Sequence, residues 1–140
     1  CIMEGTRPFL VEVQALAEKS FSPNPVRRTS GFDGSRLQML LAIIRKRAGV
    51  NVAGHDIYVN VVGGMKIREH AADLAVCAAV ISSLKEKAPP VGSLYIGELG
   101  LGGEIRTVPF LDRRLKEADR LGIKNHFSPK NTKTLKDISL

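Results

Sequence analysis

Glycines and hydroxyl side chains occur in two segments where they could support phosphate binding or nucleophilic catalysis. The stretch GELGLGG, residues 97–103, is rich enough in glycine to cradle a phosphate, but no Gly-Lys-Ser or Gly-Lys-Thr sequence follows it, as a Walker A loop requires. We interpret these glycines as turn residues. Ser82, Ser83 and Lys85 are the residue types of a Ser–Lys nucleophile. Neighbouring positions on one helix point in different directions, so these side chains cannot form the hydrogen bond that this chemistry needs.

The isolated carboxylates, cysteines and histidines do not predict a catalytic or metal site. Glu98, Glu104 and Asp112 could act as general acids or bases, but no partner is identified for them, and turn or surface positions explain them more simply. Cys77 lies in a run of small apolar residues, where a buried structural thiol is expected. The three histidines lack metal-ligand spacing, so no metal is predicted for this chain.

Basic residues give a clearer functional signal. Lys and Arg number 21 against 14 Asp and Glu, so the formal net charge is +7 and nucleic acid is the first candidate partner. The densest group of cations lies between positions 27 and 47 and contains Arg27, Arg28, Arg36, Arg45, Lys46 and Arg47. Arginines on a loop can bind phosphate oxygens bidentately, the role that we favour for the first two. Cations at a helix end can instead complement the helix dipole, an equal alternative for residues 45–47.

A second basic group belongs to the last predicted helix. It contains Arg113, Arg114, Lys116, Arg120 and Lys124. Acidic neighbours partly neutralise it, so a polar surface facing solvent or another subunit is the preferred interpretation, and contact with DNA stays an alternative. Aromatic residues are few and none alternates with the basic clusters, so contacts to the DNA backbone are expected to dominate over base stacking.

These residues must be positioned by a mixture of strands and helices. Apolar residues recur with helical spacing in LQMLLAIIRKRA and LDRRLKEADRL, and HAADLAVCAAVISSLK is small or apolar at almost every position, which indicates a buried central helix. No apolar run approaches the roughly 20 residues of a membrane span. The predicted elements are a strand over 8–17, a loop over 20–35, a helix capped by Ser35 and ended by Gly49, a strand over 56–62, a helix over 70–85, a hairpin turning at Gly102 and Gly103, a helix over 109–121 and a short final strand. Their order predicts one α+β, or mixed α/β, domain over residues 1–140.

Three segments of the chain together resemble a known family. They are EGTRPFLVEVQAL, YVNVVGGMKIREHAADLAVCAAVISS and GELGLGGEIRTVPFLDRRLKEADRLGIK, and from the first to the last the match spans nearly the whole chain. Their order, spacing and boundary glycines are similar to those of the C-terminal domain of the RadA (Sms) family of DNA-repair ATPases. That domain resembles the proteolytic domain of Lon, so the resemblance implies a fold of the ribosomal protein S5 domain 2 type.

The resemblance to Lon also implies that the protease chemistry is lost. Lon-type proteases carry the nucleophilic Ser in a GPSAG motif and the Lys in a GGLKEK stretch. Ala71 stands at the Ser position and Asp112 at the Lys position. A methyl group cannot attack a carbonyl, and a carboxylate cannot take a proton from a hydroxyl that is absent. We therefore expect no peptide hydrolysis, as in RadA itself, and keep a Lon-like peptidase using other residues only as the least favoured alternative.

For function, the resemblance implies a DNA-binding and oligomerisation module of a RadA-type ATPase that assists branch migration in recombinational repair. The expected partners are single-stranded or branched duplex DNA and further copies of the chain in a hexamer, with no membrane. The candidate DNA-binding residues are Arg27, Arg28, Arg36, Arg45 and Arg47, with Lys66 and Lys87 as auxiliaries. The segment VRRTSG matches a basic loop of RadA, which also selects the first two arginines. The alternative is a pure hexamerisation scaffold without DNA contact.

The resemblance also predicts what would lie outside the chain. The chain begins at Cys1 and not at an initiator Met, so we expect a fragment of a longer protein. The parent would carry a zinc ribbon and a RecA-like ATPase core, so Zn, ATP and Mg are expected there and no cofactor is expected in this domain. The expected compartment is the bacterial cytoplasm and nucleoid, or a mitochondrion or chloroplast if the source is eukaryotic.

Overall fold

Strands and helices alternate irregularly along the chain in the computed structural model, which describes residues 1–138 and 140. The architecture of this part is α+β, as predicted, and none of its helices is long and apolar enough to cross a membrane. In chain order its elements are β1 (Ile2–Glu4), β2 (Arg7–Phe9), β3 (Val13–Lys19), β4 (Arg27–Ser30), α1 (Gly34–Arg47), β5 (His55–Val61), α2 (Asp73–Lys85), β6 (Ser93–Tyr95), β7 (Glu98–Leu99), β8 (Ile105–Arg106), α3 (Leu111–Arg120) and β9 (Asn125–Phe127). Short 3₁₀ turns lie at Val62–Gly64, His70–Ala72 and Leu135–Asp137.

A three-stranded sheet in the order β3-β5-β4 lies at the centre of the fold. β3 is antiparallel to β5, whereas β4 runs parallel to β5 with Arg27 opposite Ile57. Side chains on a strand alternate between the two faces, so Ile57, Val59 and Val61 form a buried inner face. On the outer face Leu16 is 57% exposed. Within the described residues, the helices therefore cover one face of this sheet and leave the other open.

Helices α1 and α2 pack on the inner face of the sheet and form the main core with it. α1 buries Leu37, Leu40, Leu41, Ile43 and Ile44, which recur with the three- and four-residue spacing of one helical face. α2 is buried along most of its length, as its small and apolar sequence predicts. Burial raises the pKa of the Cys77 thiol well above its ordinary value, which agrees with a structural thiol.

A smaller hydrophobic cluster connects α3 to the start of α2 and to β6. Its members include Leu94, Ile96, Val108, Leu111 and Ala118. β6 pairs in parallel with β9, and in this pair Tyr95 stacks on Phe127 with ring centroids 4.7 Å apart. The two clusters together hold α3 against the rest of the domain.

The hairpin formed by β7 and β8 packs against the end of α1. The pair is antiparallel, as the glycine-rich turn predicts. Gly103 has φ +84°, and a Cβ atom added there would lie 2.8 Å from the Cβ of Arg47. A side chain at this position would be strained by the backbone and by the close approach of α1, so both features require glycine.

Two predicted boundaries are wrong because pairing with distant strands determines them. The predicted strand over 8–17 is two strands: β2 pairs with β1, and β3 pairs with β5. The predicted loop over 20–35 contains β4, whose sequence RRTS lacks the apolar alternation of a half-buried strand and which is held by parallel pairing with β5. The residue that caps α1 is Asp33, not Ser35, and its carboxylate accepts the backbone N–H of Arg36 at 3.1 Å.

Candidate functional site

Arg27 and Arg28 lie at the start of β4 and differ in their surroundings. Arg27 is half-buried, and its guanidinium donates to the carbonyl oxygens of His55 and, at 3.1 Å, of Val52. Arg28 is exposed on the outer face of the sheet, beside Tyr58 of β5. The two arginines are therefore not on a loop, and the guanidinium of Arg27 is occupied by backbone carbonyls of the chain itself.

Arg36 forms an ion pair inside the fold. Its guanidinium donates to both carboxylate oxygens of Asp73, and Nη2 also donates to the carbonyl of Leu99 at 3.2 Å. Asp73 is fully buried and accepts a further hydrogen bond from the backbone N–H of Leu99 at 3.1 Å. The hydrogen bond to Asp73 raises the pKa of Arg36 above its ordinary value, against the opposing effect of burial. The donors of Arg36 thus join α1, α2 and β7 and point away from solvent.

The end of α1 carries three consecutive exposed cations, Arg45, Lys46 and Arg47. In the part of the chain that the structure describes, none of the three forms an ion pair with a carboxylate. Nε of Arg47 donates to the carbonyl of Leu101 at 3.2 Å, which fixes this side chain against the β7–β8 turn. Arg45 and Lys46 have no such contact among the described residues, so their charges face solvent.

Two further lysines reach the same region from the C-terminal segment. Ile105 N–H donates to the carbonyl of Lys133 at 2.9 Å, and Leu135 N–H donates to the carbonyl of Gly103 at 2.8 Å. These bonds place the segment 133–136 on the hairpin that Arg47 also contacts. Lys133 and Lys136 are exposed there. We call the five residues Arg45, Lys46, Arg47, Lys133 and Lys136 the α1-end surface.

Sequence reasoning found three of the five residues of the α1-end surface. Lys133 and Lys136 are about ninety positions from Arg45 in sequence, and no motif connects them; the only available signal is the alternation of lysine with polar residues in KNTKTLK. The five arginines predicted to bind DNA are likewise not brought together. Arg28 projects from the outer face of the sheet, whereas α1 packs on the inner face, and Arg36 is occupied within the core.

The predicted Ser position of the protease-like motif is a buried alanine. Ala71 is 3% exposed, and its carbonyl accepts the N–H of Gly97 at 2.9 Å. Ala71 and Arg114 line a cavity of about 310 Å³, in which Nδ1 of His70 lies 3.2 Å from Oε1 of Glu98. Among the described residues, no hydroxyl, thiol or amine side chain lines this cavity. The histidine–carboxylate pair therefore has no nucleophile beside it to activate.

The predicted Lys position, Asp112, lies on a different depression. Asp112 is exposed and forms an ion pair with Lys130. The hydrogen bond from Lys130, helped by its charge, lowers the pKa of Asp112 below the ordinary value of 3.8. Asp112 lines a cleft of about 730 Å³ at the start of α3, whereas Ala71 lines the smaller cavity. The two protease-like positions thus open onto separate surfaces.

Phe110, which precedes α3, has an unusual backbone conformation. Its φ of 59° and ψ of 31° lie in the left-handed region, where a non-glycine residue costs on the order of 1–3 kcal/mol. Its side chain is 53% exposed, and the Cζ atom of Arg113 lies 5.4 Å from the ring centroid. The prediction that no aromatic residue accompanies a basic cluster is therefore wrong at this position.

Arg114 corrects the interpretation of α3 as a helix with all its basic residues on a polar surface. It is 2% exposed and forms an ion pair with Glu69. It also donates to the carbonyls of Cys1 at 2.8 Å and Pro109 at 3.0 Å. Helical spacing could not show this, because Glu69 and Cys1 are far from Arg114 in sequence. Lys116 and Arg113 of the same helix are exposed.

The auxiliary lysines and the Ser–Lys group have separate locations. Lys66 and Lys87 are exposed, and no hydrogen bond or ion pair of the described residues joins either to the α1-end surface.

Ser83 Oγ accepts the backbone N–H of Ala17 at 2.8 Å, and Ser82 Oγ donates to the carbonyl of Lys87. Both hydroxyls are therefore engaged with the backbone and not with Lys85.

Comparison with known proteins identifies the family of the chain. No protein-family model matches it. The chain is 51% identical to the DNA repair protein RadA of Aquifex aeolicus over 128 residues, 91% of this chain and 29% of that protein. It is 49% identical to RadA of Pseudomonas aeruginosa over 126 residues and 44% identical to RadA of Escherichia coli over 128 residues, in each case 28% of the relative. The chain is a relative of RadA.

The match to RadA confirms the resemblance carried by the three sequence segments. It covers about nine-tenths of this chain, which is the extent that those segments span. The chain corresponds to less than a third of the length of these relatives. These relatives are all named DNA repair proteins.

Proposed function

We propose that this chain is a non-proteolytic DNA-binding and oligomerisation module of a RadA-type protein, and that it contributes to branch migration in recombinational DNA repair. The observation that carries this proposal is the α1-end surface, in which the end of α1 and the segment 133–136 both contact the β7–β8 hairpin and carry five exposed cations. The parent protein would supply the ATPase core. DNA would be bound chiefly through its phosphates, since no aromatic side chain belongs to this surface.

The charges of the α1-end surface are available for phosphate binding. Elsewhere many cations are neutralised, as Arg106 is by Glu104, Arg120 by Glu117 and Lys124 by Asp119. Arg45, Lys46 and Arg47 are exposed without such a carboxylate in the described residues. Complementing the helix dipole would require only one cation near the last turn of α1 and contributes on the order of 0.3–1 kcal/mol. Three cations beside two further lysines favour a polyanionic partner.

The absence of peptidase activity follows in this proposal from the protease-like positions. In a fold of the Lon and ribosomal protein S5 domain 2 type, Ala71 and Asp112 would replace the Ser and the Lys. The 3% exposure of Ala71 and the ion pair of Asp112 with Lys130 support a purely structural role for both residues. The Arg114–Glu69 ion pair forms part of the wall of the cavity beside Ala71, which supports the same interpretation.

The open face of the central sheet supports the assembly part of the proposal. Leu16, Tyr58 and Arg28 lie in one row across the three strands, and Leu16 is 57% exposed. A depression of about 690 Å³ lies along this face. A row that combines an exposed leucine with a tyrosine and an arginine on an uncovered sheet is typical of a surface that contacts another protein. We propose that it contributes to a hexamer, and an assembly without DNA contact is the second candidate function.

DNA binding is tested by measuring affinity and its salt dependence. We expect the chain to bind duplex and single-stranded oligonucleotides, and we expect the variant with Arg45→Gln, Lys46→Gln and Arg47→Gln to bind more weakly. Each phosphate contact contributes about 0.9 to the slope of log affinity against log salt for duplex DNA, so this variant should lose about 2–3 units of slope. Fluorescence anisotropy at several salt concentrations measures both quantities.

A matched variant separates a local contact from a change in net charge. Arg120→Gln and Lys124→Gln remove cations that are already paired with carboxylates on α3, so their effect on affinity and slope should be small. Arg28→Gln tests the open sheet face in the same assay. Equal losses in the α1-end and α3 variants would contradict the proposed location. Unchanged binding in the α1-end variant, together with a hexamer by light scattering, would favour the scaffold function.

A further inference from the structure

A cleft at the start of α3 combines an exposed aromatic ring with several charged side chains. Its volume is about 730 Å³, within the range of roughly 300–1,000 Å³ that is usual for ligand pockets. Phe110 lies at its edge, and Arg113, Lys116 and Lys130 line it together with one carboxylate, Asp112. These residues are not part of the α1-end surface, and the function proposed above does not use them.

The side chain of Phe110 contributes little to the stability of the fold. More than half of it is exposed, and its backbone has a positive φ that asparagine or glycine adopts more easily. A residue that is strained and only partly buried is not explained by packing. Strained residues cluster at ligand-binding sites, and this one places a ring at the edge of a charged cleft.

The cations of the cleft differ in their availability. Lys130 is paired with Asp112. Arg113 lies over the Phe110 ring and donates from Nη1 to the carbonyl of Thr6 at 3.1 Å, which holds the guanidinium in place. Lys116 is exposed and near enough to contribute to the lowered pKa of Asp112. Arg113 and Lys116 have no carboxylate partner within ion-pair distance among the described residues. Both charges can therefore neutralise an anion.

We propose that this cleft binds a nucleotide, with the base against the part of the Phe110 ring that Arg113 leaves exposed and the phosphate between Arg113 and Lys116. An aromatic face beside two unpaired cations matches a ligand that carries a flat ring and a phosphate. An acidic peptide would use the cations and leave the ring unused. The nucleotide can be free in solution or belong to a DNA strand, since both present the same groups.

The test compares four probes on the 140-residue chain by isothermal titration calorimetry. The probes are adenosine 5′-monophosphate, ribose 5-phosphate, a 5′-phosphorylated tetradeoxyadenylate and a tetraglutamate peptide. We expect the monophosphate to bind about tenfold more tightly than ribose 5-phosphate, because one stacked base contributes roughly that factor or more. Because the α1-end surface is itself proposed to bind DNA, the two nucleotide probes are also compared on the chain with Arg45→Gln, Lys46→Gln and Arg47→Gln. In that variant, equal affinity of the two probes identifies a free nucleotide as the ligand of the cleft, and tighter binding of the oligonucleotide identifies a strand.

Two variants assign the binding to the cleft. Phe110→Asn keeps a residue that tolerates the left-handed conformation, so the chain should stay folded and bind adenosine 5′-monophosphate as weakly as ribose 5-phosphate. Lys116→Gln should weaken both probes equally, and Lys124→Gln, whose lysine is paired with Asp119 outside the cleft, should weaken neither. Amide chemical shifts of residues 107–116 should move on titration.

Three results would overturn the proposal. The first is an unchanged affinity for adenosine 5′-monophosphate in folded Phe110→Asn. The second is equal binding of ribose 5-phosphate and the monophosphate to the unmodified chain. The third is tetraglutamate binding as tightly as the nucleotides, which would identify a site for acidic peptides. None of these results bears on the α1-end surface, so the proposed DNA-binding function is tested separately.

Discussion

Replacing Arg36 should destabilise the fold and leave DNA binding unchanged, although its position among other arginines suggests a DNA contact. Its side chain is 14% exposed and that of Asp73 is 0% exposed. Removing one partner of a buried, hydrogen-bonded ion pair costs about 3–5 kcal/mol, because the other charge stays buried without compensation. Asp73 would keep only the N–H of Leu99 as a donor. We therefore expect Arg36→Ala to lose about 3–5 kcal/mol of unfolding free energy.

Urea denaturation followed by circular dichroism measures this effect. Small domains have slopes of about 1–3 kcal/mol per molar urea, so the midpoint should fall by about 2 M with an unchanged slope. Arg45→Ala is the matched control, since this arginine is exposed on the same helix, and it should change stability by less than about 0.5 kcal/mol. The two variants should differ in the opposite sense in their affinity for DNA. At a temperature where both are folded, Arg36→Ala should bind DNA as tightly as the parent chain, and Arg45→Ala should bind it more weakly.

A double-mutant cycle isolates the interaction between the two side chains. Asp73→Asn keeps an acceptor for the N–H of Leu99 and removes the charge, so Arg36→Met combined with Asp73→Asn should cost less than the sum of the single variants. Additive costs would show that the ion pair is not the reason for the destabilisation. An Arg36→Ala variant as stable as the parent, or one that is stable and has lost DNA affinity, would refute the structural role of Arg36.

Three further predictions concern the protease-like positions and the hairpin. Ala71→Ser should show no cleavage of casein above the parent chain, because Asp112 and not an amine stands at the second position and faces another depression; cleavage surviving repeated purification would contradict this. The pKa of Asp112 should lie below 3.8 in an NMR pH series, and Lys130→Gln should bring it back towards 3.8. Because the pKa is lower in the folded state than in the unfolded state, the ion pair stabilises the fold above pH 3.8. This contribution is lost as the pH falls through the folded-state pKa. Gly103→Ala should destabilise by at least about 1 kcal/mol and displace Arg47, which a lowered urea midpoint and shifted amide resonances at the end of α1 would report.

The helices and the hairpin could be predicted from the sequence because local spacing determines them. α1 and α3 have apolar residues at helical spacing, and the glycines around position 102 end one strand and begin the next. The central helix could be identified as buried because nearly all its residues are small or apolar. In each case the signal lies within one segment, and the tertiary structure agrees with it.

The strand β4 and the burial of Arg114 could not be predicted, because each depends on residues far away in sequence. Arg27 and Arg28 precede a Thr and a Ser and lack strand propensity, and they pair only because β5 lies beside them. Arg114 is one of several basic residues on α3, and only the position of Glu69 and of two carbonyls separates it from its exposed neighbours. The sequence alone therefore could not show which arginines form ion pairs within the fold.

The net charge alone does not show where a polyanionic partner would bind, because several cations are paired with carboxylates. Arg36 and Arg114 are largely buried and neutralised by Asp73 and Glu69, and they stabilise the fold instead of attracting a ligand. Arg106, Arg120, Lys124 and Lys130 are exposed and paired with carboxylates, which reduces their long-range field. Of the 21 cations, fifteen have no carboxylate partner in the described residues. Five of these form the α1-end surface, which is the largest group, and the others lie in ones and twos on β2, β3, β4, α2, α3 and the loops. The positive field is thus local, and a short segment of phosphate backbone is the partner that matches it.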